Sequence, residues 1–340
     1  MKTLFQLAIL FALASTIAVP WSRAAEWVVY EGGSGPGQGK HIVFLSGDEE
    51  YRSEEGLPML AKILAVRHGY KCTVLFPINP VDGTIDPVTL TNIPGMGALD
   101  SADLCVMGLR FRELPDDQMK HFVDYLNRGK PIIALRTSTH AFSYEQNKHS
   151  PYANYDWRNK EWPGGFGQQV LGETWVDHHG SHGKESTHGL INNTVKDHPI
   201  LRGVDNIWAP TDVYAVAHLP KDATVLVWGE VLAGMNPTDP PVQGAKNNPL
   251  MPLVWAREYK SDPAHVSKII TTTMGAAVDL QNEGLRRLIV NAAYWATGLS
   301  DKIPARAEVA YVGDFHPLGF GFGKFAKGVK PDDLALKNGR

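Results

Sequence analysis

The run Lys130-Pro-Ile-Ile-Ala-Leu-Arg-Thr-Ser-Thr-His-Ala-Phe142 constrains this chain most. Four apolar residues of β type, Ile132 to Leu135, end abruptly in a guanidinium, three hydroxyls and an imidazole. A helical pattern precedes the run and an aromatic, irregular stretch follows it. In an open parallel sheet, ligands collect outside the carboxyl ends of strands, where polar groups emerge from a buried run. Arg136, Thr137, Ser138, Thr139 and His140 are therefore the expected centre of function.

The surrounding text repeats the same strand-and-helix grammar. His41 to Ser46 reads as a strand ending in Gly47-Asp48-Glu49-Glu50-Tyr51-Arg52-Ser53, followed by a helix from about Glu54 to His68 with Gly69 as its stop. Cys72 to Phe76 and Asp103 to Met107 are the next strands, the latter ending in Gly108-Leu-Arg-Phe-Arg112. A helix with Met119, Phe122, Val123 and Leu126 on one face then leads to Ile132–Leu135. This order predicts an α/β domain with a flavodoxin-like, doubly wound, mostly parallel sheet. Later strands are expected at Val225–Trp228, Leu253–Ala256 and Lys268–Thr272, then a last helix that stops at Gly298.

The flanks are read differently. Residues 1–24 carry Lys2, an apolar run from Leu4 to Val19, and small residues before a cleavage point after Ala24. That is the pattern of a signal peptide, so an exported, periplasmic or secreted protein is expected. Removing Lys2 and Arg23 from 33 basic residues leaves 31 against 36 acidic, a net charge of −5. No basic cluster appears, so nucleic acid is not an expected partner, and no membrane association is expected after cleavage. Residues 25–39 read as a flexible lead-in, 40–300 as the domain, 141–190 as an insertion over the site, and 301–340 as a tail. The only cysteines, Cys72 and Cys105, lie in strands expected on either side of the first strand. That separation is about 9–10 Å, beyond the ~7 Å that a disulfide spans, so two buried free thiols are expected.

Several stretches together resemble the trehalose-utilisation (ThuA-like) family, which has the class I glutamine amidotransferase fold. They are His41 to Asp48, Met107 to Met119, Ile133 to Phe142, Val170 to Gly183, His198-Pro-Ile-Leu-Arg-Gly203, and Thr273-Met-Gly through Asn291-Ala-Ala-Tyr-Trp-Ala296. The form Leu135-Arg-Thr-Ser-Thr-His-Ala-Phe142 looks like a secreted bacterial branch. Amidotransferases of this fold carry a nucleophilic cysteine after the central strand. Here that turn has none, so glutamine amidotransfer is not expected. A histidine commonly follows this strand in ThuA-like proteins, and His140 matches it. A Gly-His pair is common before the last helix, where this chain has Gly275-Ala276. The resemblance implies sugar metabolism, with keto sugars as one class of substrate.

From the residues, His140 is the expected acid–base catalyst, since an imidazole titrates near neutrality. Arg110 and Arg136 are expected to hold oxygen atoms, one of the strand-end arginines being paired with a carboxylate of the first loop. Among His178, His179 and His182, one is expected to assist, with His179 placed among the catalytic residues. Adjacent residues on an extended segment diverge, so His178 and His179 cannot both converge on one point. Asp48, Glu49, Thr137, Ser138, Thr139, Trp175, His178 and His182 are the expected substrate contacts. No metal or cofactor is expected, with zinc at the histidine cluster as the alternative. The function expected is a carbohydrate-processing enzyme (hydrolase, lyase or isomerase) acting on a small-molecule carbohydrate. The alternative is a non-catalytic sugar-binding or scaffold domain.

Overall fold

The structure is a computed structural model that describes residues 25–336. The signal-peptide expectation concerns residues 1–24 and lies outside the described residues. Ten strands form a single sheet in the order β1-β3-β2-β4-β5-β10-β9-β8-β6-β7. They are β1 (Trp27–Tyr30), β2 (His41–Gly47), β3 (Lys71–Leu75), β4 (Leu104–Leu109), β5 (Ile132–Leu135), β6 (Thr187–Ile191), β7 (Ile207–Ala209), β8 (Thr224–Val231), β9 (Met251–Asp262) and β10 (His265–Thr272).

The five strands β3, β2, β4, β5 and β10 run parallel. Their central residues are mostly apolar and buried because both faces of each strand are covered. On β2, Ile42 and Phe44 meet one core, which also holds Leu57, Leu60 and Leu64 of α1 (Ser53–His68) and Leu285, Leu288 and Ile289 of α3 (Glu283–Ala296). Val43 and Leu45 meet the other core, with Met119, Phe122 and Leu126 of α2 (Asp116–Asn127). Helix α1 stops where Gly69 takes φ of 83°, a left-handed cap that glycine adopts without a Cβ penalty.

The sheet departs from a mostly parallel one. Strands β9, β8, β6 and β7 continue it antiparallel beyond β10, and β1 pairs antiparallel with β3. Hairpin-connected strands need no crossover helix, which is why the second half carries only α3. Two boundaries shift accordingly. Residues 27–30, in the expected lead-in, form an edge strand whose Val28 and Tyr30 pack inward. Residues 187–191, at the end of the expected insertion, are strand β6, so the insertion closes before Thr187. Trp255 of β9 donates its indole N–H to the Leu171 carbonyl at 2.7 Å and fastens that insertion to the sheet. Among the described residues, no helix is long and apolar enough to cross a membrane.

Cys72 and Cys105 are both buried and free. They lie on the two neighbours of β2, opposite Ile42 and Val43, and belong to the two different cores. Intact-mass analysis after alkylation should therefore find no label on native protein and two labels in denaturant without reductant. A mass two hydrogens short of the reduced chain would contradict this strand order.

Candidate active site

The loops after β2, β4, β5 and β10 converge at one end of the parallel strands. Four non-glycine residues among those described have positive φ, and three of them are Arg52, Phe111 and Arg136 in these loops. Left-handed backbone costs such residues about 1–3 kcal/mol, so local bonds must hold each in place. Asp48 organises the first loop. Its Oδ1 accepts the Glu50 N–H at 2.8 Å and the Tyr51 N–H at 3.0 Å, and its Oδ2 accepts the Thr137 hydroxyl. Glu49 takes the guanidinium of Arg110 and, at 2.9 Å, that of Arg112.

Several expected substrate contacts are thereby committed to the protein itself. Asp48 and Thr137 bond each other. Ser138 donates to the Met107 carbonyl at 3.0 Å and accepts from Leu109 N–H at 3.2 Å. Thr139 lies between the Arg136 carbonyl and His140 Nδ1. All are buried, so this turn shapes the site without offering free hydroxyls.

Arg136 is likewise turned into the protein. It is 1% exposed, with its guanidinium carbon 4.2 Å from the ring centres of both Tyr51 and Tyr214. Nη1 donates to the carbonyls of Thr273 at 2.8 Å and Asp212 at 3.2 Å. Nη2 donates to Tyr51 Oη at 3.2 Å and Asp212 Oδ1 at 3.0 Å. A planar, weakly hydrated cation suits this double stack better than an ammonium would. Burial pushes the Tyr51 phenol up to about 12 against the opposing Arg136 charge, so the ring stays neutral.

Asp212 is the hub of the cluster. Residues 177–180 pair with 213–215 through His179 N–H to Val213 O at 2.9 Å and Ala215 N–H to Asp177 O at 2.9 Å. That short pairing lays His178 against Asp212. His178 Nδ1 lies 2.6 Å from Asp212 Oδ2, and His182 Nδ1 lies 3.0 Å from Oδ1. Although burial opposes ionisation, the His178 hydrogen bond and the Arg136 charge hold the carboxyl near 2. An ionised Asp212 can only accept, so each Nδ1 is the donor and each ring turns its Nε2 away from the carboxylate. Side-chain exposures of 34% for His178 and 35% for His182 put these rings at the open side of the cluster. His182 Nε2 also lies 3.6 Å from Glu50 Oε1.

His179 turns the other way, its Nε2 2.6 Å from the Lys246 carbonyl, and takes no part in the cluster. Of the adjacent pair it is His178 that faces Asp212, because alternation along an extended segment sends the two neighbours to opposite sides. His140 is buried under Phe111 at 5.0 Å and Trp175 at 5.2 Å between ring centres. Burial, then the charges of Arg110 and Arg136, push its pKa well below the usual imidazole range, so it is neutral. Trp175 also meets His178 at 4.9 Å and Tyr214 at 4.6 Å between ring centres, and so forms one wall of the site.

Sequence reasoning missed Asp212, Tyr214, Tyr51 and the tail. The tail is strapped across the strand ends. Gly321 N–H donates to the Glu50 carbonyl at 2.8 Å, and Arg52 Nη2 donates to the Gly321 carbonyl at 3.1 Å. Gly321 has φ of 127°, a conformation that glycine accommodates. Phe320 then packs 5.2 Å from the His182 ring, and Phe322, 61% exposed, covers Arg110 at 4.9 Å. The alternation Gly319-Phe-Gly-Phe-Gly323 was the available signal. At the other edge, Gly275 and Ala276 donate their N–H groups to the buried Asp279, and Ala276 is itself buried.

Among the described residues, one group of donors could hold a metal ion: atoms of His178, His182 and Asp212 lie within 4.8 Å of one another. Two imidazoles and a carboxylate suit zinc. Asp212, however, already accepts Arg136 and both Nδ1–H groups, the place of a carboxylate that orients ligating imidazoles from behind. The donor set therefore fits best through the two Nε2 atoms.

Replacing Asp212 tests the hub. Its folded pKa is depressed, so its stabilisation is complete above the unfolded value near 4 and lost as pH falls towards 2. Asp212→Asn leaves Arg136 buried and uncompensated, at a cost of about 3 kcal/mol. Thermal melts should show Asp212→Asn several degrees below the wild type at pH 7, with the gap narrowing between pH 4 and 2. A gap that is independent of pH would contradict the ionised hub.

The sequence matches no protein-family description and no curated protein. Among solved structures, a ThuA-like protein from Bacteroides uniformis shares 14% identity, covering 78% of this chain and 95% of its own, with a TM-score of 0.48. One from Parabacteroides merdae shares 15% identity, covering 76% of this chain and 90% of its own, also at 0.48. Both are described as ThuA-like, the same family that the sequence resembles.

Proposed function

We propose that this is an exported ThuA-like enzyme that processes carbohydrate by acid–base chemistry. One arrangement carries the reading: the buried Asp212, its carboxyl held near 2, faces Nδ1 of both His178 and His182 and so turns their Nε2 atoms towards the open side of an aromatic-walled cleft. Such a pair can take and return protons without a nucleophile. The order of the five parallel strands supports a flavodoxin-like core, with the ligand site at its strand ends. The leader pattern of residues 1–24 supports export.

A keto sugar suits this arrangement. The carbonyl acidifies the neighbouring C–H, and His178 Nε2 accepts that proton. The electron pair moves onto the carbonyl oxygen, which Arg110 stabilises from between Phe111 and Phe322. Collapse of that enolate expels the oxygen substituent on the next carbon, which leaves with a proton from the imidazolium. Neutral His140 sits behind Trp175 as a second, deeper base. The internal use of the Arg136–Thr139 side chains and the absence of the second family histidine favour the non-catalytic binding alternative. Turnover decides between them.

Incubation with a panel of sugars and 3-keto sugars, followed by mass spectrometry, should show product from a keto sugar. His178→Ala should lose at least a hundredfold in turnover while its melting temperature stays within a few degrees. His140→Ala should also lose activity. Retained turnover in His178→Ala would remove it from the chemistry, and no turnover on any member would favour the binder. The fold is proposed to need no metal. Chelator-treated protein should keep its circular dichroism and melt cooperatively, whereas a strong downward shift on stripping stoichiometric zinc would show a structural ion.

A further inference from the structure

Between helix α1 and the C-terminal tail lies a cavity of about 330 Å³ that takes no part in the histidine cluster. Helix α1 lines it with Glu54, Pro58 and Met59, the loop after β3 with Ile85, and the tail with Phe315 and Val329. These walls are fixed to one another. Leu318 N–H donates to Glu55 Oε2 at 2.8 Å, Ile85 N–H donates to the Val329 carbonyl at 2.8 Å, and the Tyr30 hydroxyl donates to the Leu334 carbonyl at 2.9 Å. A fixed, mostly apolar cavity of this size with a few polar groups is the usual make-up of a small-molecule site.

Its polar groups select the ligand. Glu54 is 8% exposed, yet neither carboxylate oxygen has a hydrogen-bond partner on another residue, and Glu55 Oε1 is also buried without one. Arg52 Nε stands 3.6 Å from Glu54 Oε1, beyond hydrogen-bond reach. Pro58, one turn further along α1, has no N–H to give to the Glu54 carbonyl, so the backbone of the same residue also lacks its helical donor. Lys62, on the same wall, holds its ammonium over the Tyr30 ring, 5.7 Å from the ring centre. Burial pushes the Glu54 carboxyl up to about 8 even against the Arg52 charge, so the protein itself compensates little of a charge there. Buried acceptors of this kind call for a donor, and a buried carboxylate calls for a cation. Among the described residues, the donors close enough together for a metal ion are those around Asp212, so the cation that suits this cavity is organic.

We propose that this cavity is a binding site for an organic cation: a primary ammonium on a compact apolar body. The ammonium carries three N–H donors and no acceptor. These meet the unpartnered oxygens of Glu54 and Glu55, while the apolar body lies against Met59, Ile85, Phe315 and Val329. The inference does not rest on the carbohydrate reading, since neither the histidine pair nor Asp212 enters it.

The test uses the full chain and probes that share one body but differ in their head group: 2-phenylethylamine, 2-phenylethanol and 3-phenylpropionate. Titration calorimetry at neutral pH should show a single site for the amine, at least tenfold tighter than for the alcohol, and no binding of the carboxylate. Glu54→Gln keeps the shape of the side chain and removes its charge. It should lose at least tenfold in amine affinity while alcohol affinity stays within twofold. Phe315→Ala, in the tail, should weaken amine and alcohol alike by at least fivefold and keep the preference for the amine, which guards against misfolding of the Glu54 variant. Alcohol or carboxylate binding as tightly as the amine would overturn the cationic ligand. Amine affinity unchanged in both variants would put the amine outside this cavity, and binding of none of the three probes would overturn the site altogether.

Discussion

A single buried carboxylate, Asp212, holds the site together. It stands between a fully buried guanidinium and two imidazoles, and each of these depends on it. Without Asp212, Arg136 would be a desolvated cation that has lost its directly bonded carboxylate and keeps only carbonyls, the Tyr51 hydroxyl, two rings and the more distant Asp279, and such a charge is costly to bury. Without Arg136, the carboxyl would meet burial with less opposing charge, and its ionised form would weaken. The histidines depend on that ionised form for their orientation.

This interaction also joins the two halves of the sheet. Arg136 ends β5 in the parallel half, whereas Asp212 follows β7 at the far antiparallel edge. Asp279 repeats the connection beneath it: it accepts the Thr211 hydroxyl at 2.8 Å and the N–H groups of the turn after β10. The tail closes the third side through the Glu50 carbonyl and the Arg52 guanidinium. Rigid strands, two buried carboxylates and a pinned tail together set the open Nε2 atoms in place, the pre-organisation that acid–base chemistry demands.

Much of the parallel half was legible in the sequence, because strands covered on both faces must be continuous apolar runs and their ends must be abrupt. Ile132–Leu135 and the polar turn after it are the clearest case, and the spacing of the two cysteines followed from the strand order. The roles of the turn's side chains were not legible. Whether Arg136 faces a cleft or a partner depends on Asp212, 76 residues away, in a Pro-Thr-Asp loop without periodicity. Strand β6 escaped because Thr187-His-Gly-Leu-Ile lacks a clean apolar pattern. The tail escaped because its binding partner, Arg52, lies 269 residues earlier in the chain. The rule that neighbours on an extended segment diverge was sound for His178 and His179, but sequence alone could not say which of them turned inward.

The central claim is that Asp212 fixes the tautomer of both open histidines. Nitrogen-detected NMR of imidazole-labelled protein at pH 8, with His178 and His182 assigned by substitution, measures this directly. The account predicts protonated Nδ1 and bare Nε2 on both rings, with that preference lost in Asp212→Asn. Rings that carry their proton on Nε2 in the wild type, or a tautomer unchanged by Asp212→Asn, would contradict it.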